Sequence, residues 1–139
     1  MLGPRKLALH KGEIVVSFLL PPRPPRSSDA YLRFIPRTEM DIAVVGAGVS
    51  LTLDDAGTIT AARVGLGAVA ARVLLVAEAA QAIVGSRLDE PAQRRLEAAA
   101  RAVCRPIDDK RGTIEFRTDV AAVLTRRAAL IALDRARTS

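Results

Sequence analysis

The feature that most constrains the fold is an alternation of apolar residues with small or polar ones in the stretch 43–53 of this 139-residue chain. The apolar positions are Val45, Ala47, Val49, Leu51 and Leu53. The positions between them are Gly46, Gly48, Ser50 and Thr52. Because successive side chains of a strand point to opposite faces, the pattern predicts a strand with one buried face and one face of small or polar groups.

A second strand is predicted to follow as the partner of a hairpin. Turn residues at positions 54–57 precede another apolar stretch at 58–66. The phase of that stretch changes between Ile59 and Val64, which predicts a bulge or an end to pairing near Ala61.

After Gly67 the apolar spacing changes to that of helices. The first helical stripe comprises Leu75, Ala79, Ala82 and Ile83, and Gly85 is placed to end that helix in a left-handed conformation. The second helix is predicted to begin with Asp89 as its N-cap, and Pro106 prevents its continuation. Its apolar stripe comprises Ala92, Leu96, Ala99, Ala100 and Val103.

The last helix is predicted to begin between Thr113 and Glu115. Its apolar side carries Phe116, Val120, Val123, Leu124, Ala128 and Ile131, whereas Arg117, Arg126 and Arg135 are expected to face elsewhere. Strands followed by helices indicate an α+β fold, with an antiparallel sheet of about three to four strands covered on one face by about three helices.

The N-terminal part has a different character. Residues 13–20 (EIVVSFLL) have the composition of a buried strand, and four prolines at positions 21–25 then predict an extended linker. A short strand is predicted at 30–35, ended by Pro36. We therefore expect residues 1–28 to form an arm and proline-rich linker, and residues 29–139 to form the single domain that a chain of this length allows.

Composition disfavours several classes of protein. No apolar run approaches the roughly 20 residues of a membrane span and no secretory signal is visible, so we expect a cytoplasmic protein. The net charge of +6 suggests nucleic-acid binding, but the arginines are dispersed among acidic residues and there are only three Phe, one Tyr and no Trp to stack on bases. The single cysteine, Cys104, is expected to be a small buried hydrophobe.

No catalytic constellation is apparent. Gly46 and Gly48 resemble the start of a dinucleotide fingerprint, but Leu51 occupies the third glycine position and a strand continues where a helix should open. Two glycines on one strand face better suit close approach by another backbone or side chain. His10 is the sole histidine, and the paired acids at 54–55, 89–90 and 108–109 are expected to cap turns and helices.

Five pieces of the sequence carry a further signal through their order and spacing. The first is residues 12–16 (GEIVV) with the following prolines, and the second is 30–34 (AYLRF) together with 37–43 (R-x-x-x-D-I-A). The others are 62–70 (ARVGLGAVA), a helix ending IVG at 83–85, and 107–117 (IDDKRGTIEFR). Together they resemble the FAD-binding subunit of molybdenum hydroxylases, the group that contains aerobic carbon-monoxide dehydrogenase and xanthine dehydrogenase. The first piece resembles the closing strand of its FAD-binding middle domain, and the second resembles the opening of its C-terminal domain.

The resemblance implies a role in electron transfer. In this family electrons pass from a molybdenum subunit through a subunit with two [2Fe–2S] clusters to FAD, and the C-terminal domain closes over the flavin edge. By analogy Tyr31 would lie against or near the flavin ring, and Arg33 and Arg37 would supply positive charge where reduced flavin gains electron density. Without the resemblance, the residues favour Tyr31 as the start of a strand and the two arginines as solvated. Asp41 is expected to pair with Arg37 or cap a turn rather than contact the cofactor. The expected partners are the FAD-binding N-terminal region, the molybdenum-cofactor subunit and the [2Fe–2S] subunit.

The glycine-rich phosphate cradles of the family are not found in these 139 residues, so FAD binding and dehydrogenase activity by this chain alone are not expected. The alternatives are a stand-alone α+β interaction module without catalysis and, third, a basic nucleic-acid-binding protein. The sequence identifies neither the substrate nor the electron acceptor, nor the oligomeric state. It also leaves open whether the chain is a gene fragment or a separately encoded half.

Overall fold

The computed structural model describes residues 2–37 and 40–139. Its four strands form one antiparallel sheet in chain order: β1 (Ser27–Phe34), β2 (Val45–Leu53), β3 (Ile59–Gly67) and β4 (Leu74–Leu75). Its three helices are α1 (Ala77–Gln81), α2 (Glu90–Val103) and α3 (Ile114–Arg137). The α+β class predicted from the sequence is confirmed.

The hairpin forms as the alternation predicts. All five apolar residues of β2 are buried, whereas Ser50 on the other face is exposed. Thr52 pairs with Ala61 but Leu53 pairs with Ile59, so β3 contains one extra residue, Thr60. This irregularity is the bulge predicted near Ala61.

Helices α1 and α3 lie against one face of the sheet, and α2 packs against these two helices. The longest, α3, contacts β1 and β2, while α1 contacts β3, and α2 packs between α1 and α3. Both long helices begin where their capping residues predict. The Asp89 carboxylate accepts from the Ala92 amide at 3.2 Å, and the Thr113 hydroxyl accepts from the Phe116 amide at 3.1 Å.

The first helix is shorter than predicted. Leu75 was expected on its apolar stripe, but it lies in β4 and is 75% exposed. The reason is that the chain first pairs with β3, and the Val76 amide donates to the Val64 carbonyl at 2.8 Å, before the single turn of α1 starts. Gly85 has a φ of +80° as predicted, although α1 itself ends at Gln81.

Helix α3 is rotated relative to the predicted apolar side. Leu124 and Ala128 are buried as expected, but Phe116 is exposed at one edge. Arg117 was predicted to face away from the core and is instead only 3% exposed. The buried side of α3 is mostly alanine, and such short side chains let the helix backbone pack close to the sheet. Arg135 is exposed, as expected.

The strand predicted at residues 13–20 is wrong. These residues form no strand, and their large apolar side chains are exposed: Ile14, Val15, Val16, Phe18, Leu19 and Leu20. A strand needs a neighbouring ladder, and the sheet described here ends at β1, which begins at Ser27, after the prolines.

No helix among the described residues is long and apolar enough to cross a membrane.

Candidate functional site

The candidate site is the sheet face opposite the helices, called here the open face. The strand register aligns Arg33, Gly46 and Gly67 in one row across β1, β2 and β3, and Tyr31, Gly48 and Gly65 in the next. A third row contains Asp29, Ser50 and Arg63. Four glycines therefore form a block beside the side chain of Tyr31.

The ring of Tyr31 lies over two of these glycines. A Cβ atom added to Gly46 would be 2.5 Å from the Tyr31 Oη atom and 3.2 Å from its Cζ atom. One added to Gly48 would be 3.6 Å from the Tyr31 Cδ2 atom. The residue is nevertheless 65% exposed, so one side of the ring rests on the sheet and the other is open. The close approach predicted for Gly46 and Gly48 is thus made by Tyr31.

The glycines of β3 have no such neighbour. A Cβ atom on Gly65 or Gly67 would meet only a backbone carbonyl, at 3.9 Å and 4.0 Å respectively. Neither residue has a positive φ. Nothing in the described chain therefore requires glycine at these two positions, where it weakens a strand. The open face is flat enough beside Tyr31 for a planar group or another backbone to approach closely.

Positive charge borders this face. Among the described residues, Arg33 and Arg63 form no ion pair. Tyr31, Ser50, Arg63, Gly65 and Arg135 are among the residues that line a shallow groove of about 310 Å³. The groove is at the lower end of the size range of small-molecule sites.

Arg37 lies beyond β1, in the loop that leads to β2. Its Nη2 atom is 3.4 Å from the Asp41 Oδ1 atom, and the Asp41 carboxylate also accepts from the Ile42 amide at 2.9 Å. The expected pairing of Asp41 with Arg37 is thus confirmed, while the Arg37 side chain remains 74% exposed. The hydrogen bond from Arg37 lowers the pKa of Asp41, against the opposing effect of burial. Thr38 and Glu39, within the same sequence motif, lie outside the described residues.

The structure therefore brings Tyr31 and Arg33 to the same face of β1, and it holds Arg37 in the adjoining loop by an ion pair. Arg117, predicted to face away from the core, is buried near the start of β2 and donates to the Val44 carbonyl at 2.9 Å. Its spacing from Asp109, across a turn ending in Gly112, is a local signal for their ion pair but not for the bond to Val44.

Several of the polar groups away from this face have structural partners. Asp54 accepts from the Thr58 amide at 2.7 Å, and Asp89 caps α2. Cys104 is buried, its Sγ atom is 3.1 Å from the Ala100 carbonyl oxygen, and burial raises its pKa. Across residues 2–37 and 40–139, no group of three His, Cys, Asp or Glu residues is placed to hold a metal ion. The open face is suited to binding.

Comparison with known proteins finds one family model and relatives of the same kind. Residues 30–132 match the family model for the CO dehydrogenase flavoprotein C-terminal domain. The chain is 36% identical over 121 residues to the carbon monoxide dehydrogenase medium chain of Afipia carboxidovorans, covering 87% of this chain and 41% of that protein. It is 27% identical over 129 residues to the putative xanthine dehydrogenase FAD-binding subunit XdhB of Escherichia coli, covering 90% of this chain and 43% of that protein.

Solved structures show the same relationship. Reconstituted CO dehydrogenase from Oligotropha carboxidovorans aligns with a TM-score of 0.79 and 36% identity, over 84% of this chain and 40% of that chain. Carbon monoxide dehydrogenase from Hydrogenophaga pseudoflava aligns with a TM-score of 0.90 and 28% identity, over 96% of this chain and 46% of that chain. The chain thus spans about two fifths of the length of the curated relatives it matches, 41% and 43%.

Proposed function

The chain belongs to the family of CO dehydrogenase flavoprotein C-terminal domains, and from this premise we propose that it is the part of a molybdenum-hydroxylase FAD subunit that covers the flavin edge. In this proposal it also docks the molybdenum-cofactor and [2Fe–2S] subunits, and the complex works in the cytoplasm. One relative is named as an FAD-binding subunit and another as a medium chain of carbon monoxide dehydrogenase, which supports this assignment.

The observation that carries the proposal is the position of Tyr31. Its ring lies on Gly46 and Gly48 and exposes its other side, as a platform for a second planar ring would. Aromatic rings attract one another in offset-stacked or edge-to-face arrangements. The isoalloxazine ring of FAD is planar, and the bare glycines of β3 leave room beside Tyr31. The residues present therefore fit one end of this cofactor.

The arginines supply the electrostatic part. Arg33 shares the face of Tyr31, and Arg37 projects from the following loop with its guanidinium largely exposed. When bound, a flavin supplies electron transfer in steps of one or two electrons. Positive charge close to the ring favours the reduced, more electron-rich form, so Arg33 and Arg37 would adjust its potential, while Tyr31 orients the ring and keeps water from one side.

The other end of the cofactor needs a different binding element. A pyrophosphate group is ordinarily held by glycine-rich backbone at a helix N-terminus. In this chain Gly46 and Gly48 belong to a strand and are covered by Tyr31. Phosphate binding is therefore assigned to the region that precedes the matched domain in the longer relatives.

A chimera tests the proposal. This chain replaces the matching region of the Afipia medium chain, and the fluorescence of bound FAD is compared with that of the same chimera carrying Tyr31→Ala. We expect the alanine variant to change flavin emission and its quenching by iodide, because one side of the ring becomes accessible. Tyr31→Phe is the matched control: it keeps the ring and should retain the wild-type spectrum. Identical flavin spectra in the alanine variant and the wild type would refute a flavin-edge role.

An interaction module without a redox role is the second candidate, favoured by the bare glycines of the open face and by the exposed apolar residues 14–20. Co-purification distinguishes the redox component from the interaction module. A redox component should recover a large molybdenum subunit and an iron–sulfur subunit, whereas a stand-alone module should remain a homo-oligomer without them. A nucleic-acid-binding protein, the third candidate, would instead be retained on DNA or RNA with a steep salt dependence.

A further inference from the structure

Arg117 is a buried arginine with all three of its side-chain nitrogens engaged. Its Nε atom donates to the Gly112 carbonyl at 3.2 Å, Nη1 to the Val44 carbonyl at 2.9 Å, and Nη2 to the Asp109 carboxylate at 2.6 Å. Because a buried charge without partners costs several kcal/mol, these bonds are required for the residue to be accommodated here.

The hydrogen bond to the Val44 carbonyl connects Arg117 to the β1–β2 loop. Val44 immediately precedes β2, and its own amide donates to the Phe34 carbonyl at 2.9 Å, at the end of β1. The hydrogen bond between Val44 and Phe34 therefore closes the loop of residues 35–43, and Val44 is the end that leads into β2. The bond from Arg117 connects that closing point to the first turn of α3, which is 73 residues away along the chain.

The other end of the loop is held by the same helical turn. The rings of Phe34 and Phe116 meet edge to face, with centroids 5.8 Å apart and planes inclined by 70°. Phe116 in turn packs on Gly112, where an added Cβ atom would be 2.8 Å from its Cδ1 atom. Consecutive residues of α3, Phe116 and Arg117, thus contact the last residue before the loop and the first residue after it.

Arg37 lies between these two anchors. It is paired with Asp41, whose carboxylate side chain is 2% exposed and which lies three residues before Val44 along the chain. A shift of Val44 would move Asp41, and Arg37 with it. We propose that Arg117 is a positioning residue: it fixes the start of β2 and thereby the β1–β2 loop that presents Arg37 beside the open face.

The chemistry of arginine explains why this residue type is needed. Its planar guanidinium spreads donors over three nitrogens in a fixed fork, whereas lysine carries all of its donors on one compact nitrogen at the end of a flexible chain. A well-packed apolar side chain is often as stabilising as a buried ion pair, so stability alone does not call for arginine at this position. The three directed bonds instead define the relative positions of Val44, Asp109 and Gly112.

Hydrogen exchange of the 139-residue chain tests the positioning role without any flavin. In Arg117→Met and Arg117→Lys, we expect the amides of loop residues 37 and 40–43 and of Val44 to exchange about tenfold faster or more, as loss of hydrogen bonds to a charged group implies. Amides of β3 should be unchanged. Arg126→Met is the matched control, because Arg126 lies on the same helix and pairs with Glu97, away from the loop. Loop exchange within about twofold of wild type in a folded Arg117 variant would overturn the proposal.

Asp109→Asn keeps the test decisive if the Arg117 variants do not fold. It removes the charge of one acceptor but leaves Arg117 and its bonds to two carbonyl groups. We expect a smaller acceleration of loop exchange, about threefold, again without change in β3. Unchanged loop exchange in this variant would contradict the positioning role.

The expected effect of Arg117 on bound flavin rests on the proposed function, and it is measured separately by the emission of FAD. In the chimera, Arg117→Lys should shift the emission of bound FAD in the same direction as Arg37→Ala. Leu124→Ala, which lowers stability from a different part of α3, should leave that emission unchanged. A chimera whose flavin emission does not respond to Tyr31→Ala refutes the flavin-edge role, while the exchange experiment still decides whether Arg117 positions the loop.

Discussion

At the scale of single residues, the position of Tyr31 depends on the lack of a side chain at Gly46. The added Cβ atom would meet the far end of an exposed side chain, so the ring can turn away without disturbing the core. The orientation of the ring is therefore set by two glycines rather than by burial. Since the chain has one tyrosine and no tryptophan, its intrinsic emission reports on this ring alone.

Gly46→Ala should displace the ring of Tyr31 at a cost of about 1 kcal/mol or less. We expect the tyrosine emission to become more easily quenched by acrylamide. Gly65→Ala is the control, because its Cβ atom would meet only a carbonyl oxygen at 3.9 Å. Quenching should match the wild type in that variant. Equal quenching of Gly46→Ala and wild type would show that the glycine does not hold the ring in place.

Two carboxylates, Asp41 and Asp109, make the free energy of unfolding depend on pH in the acidic range. The hydrogen bond from Arg37 lowers the pKa of Asp41, and the Arg111 amide followed by Arg117 lowers that of Asp109, both from an ordinary value of 3.8. The unfolded chain then takes up these protons at higher pH than the folded chain does. Their contribution to stability is present above about pH 4 and is lost as the pH falls through the lowered values.

Asp109→Asn should therefore flatten the decline in unfolding free energy between about pH 5 and about pH 2. Urea unfolding at a series of pH values measures this decline. Asp55→Asn is a control on an exposed turn residue. If Asp109→Asn retained the full wild-type pH dependence, the ion pair with Arg117 would contribute nothing to folding.

Residue-scale predictions from the sequence succeeded where partners are close along the chain. The pairing of Arg37 with Asp41 and the Asp89 cap each span a few residues, so spacing alone predicts them. The burial of Arg117 depends on a carbonyl 73 residues away, which no local pattern contains. The assignment of Tyr31, Arg33 and Arg37 to a flavin site remains a prediction.

At the scale of elements, the sequence predicts strands and helices well when their signals are local. Alternation located β2, and capping residues located the starts of α2 and α3. The stretch at 13–20 has the composition of a strand, but a strand forms only beside another, and no neighbouring ladder is present for it among the described residues. The sequence pattern predicts the buried face of α3 poorly because the alanine-rich surface of this helix gives weak apolar contrast.

Leu124→Ala should lower the free energy of unfolding by about 2–4 kcal/mol. Leu124 is 9% exposed and belongs to the core that α3 forms with the sheet, so its removal leaves a cavity. Leu75→Ala serves as the control at an exposed position and should cost less than about 0.5 kcal/mol. Chemical denaturation measures both. A loss below that value at Leu124 would mean that its side chain does not fill the core.

At the scale of the whole molecule, the order of the sequence motifs carried more information than any one of them. Five short pieces in the right order predicted the family, which the match over residues 30–132 confirms. The boundary between arm and domain remains a prediction. It follows from the prolines, which cannot donate to a ladder, and from exposed apolar residues before them that would form an aggregation-prone edge.

Limited proteolysis should remove residues 1–26 of the arm and linker and leave a stable core that begins close to β1. Cleavage is expected within residues 10–20, where the backbone belongs to no helix or strand and lacks ladder hydrogen bonds. Mass spectrometry of the resistant fragment identifies its first residue. A resistant core beginning well before residue 20 would show that the arm is packed on the domain.

The purified chain by itself should be colourless and inactive as a dehydrogenase. One stacked ring from Tyr31 and two partly solvated charges from Arg33 and Arg37 contribute about a few kcal/mol before the cost of association, which leaves FAD binding at about millimolar strength or weaker. Tight binding requires the pyrophosphate to be held, and the glycines of β2 are covered by Tyr31.

Equilibrium dialysis with FAD and with riboflavin tests whether this chain contacts only the ring end of the cofactor and leaves the pyrophosphate to the preceding region. Riboflavin has the same ring and no pyrophosphate, so the isolated chain should bind the two with similar weakness, within about threefold. In the chimera, FAD should bind far more tightly than riboflavin, because the preceding region then holds the phosphates. Stoichiometric FAD in the isolated chain, or a strong preference there for FAD over riboflavin, would show that these 139 residues contain a phosphate site and would overturn their assignment as a flavin-edge cover.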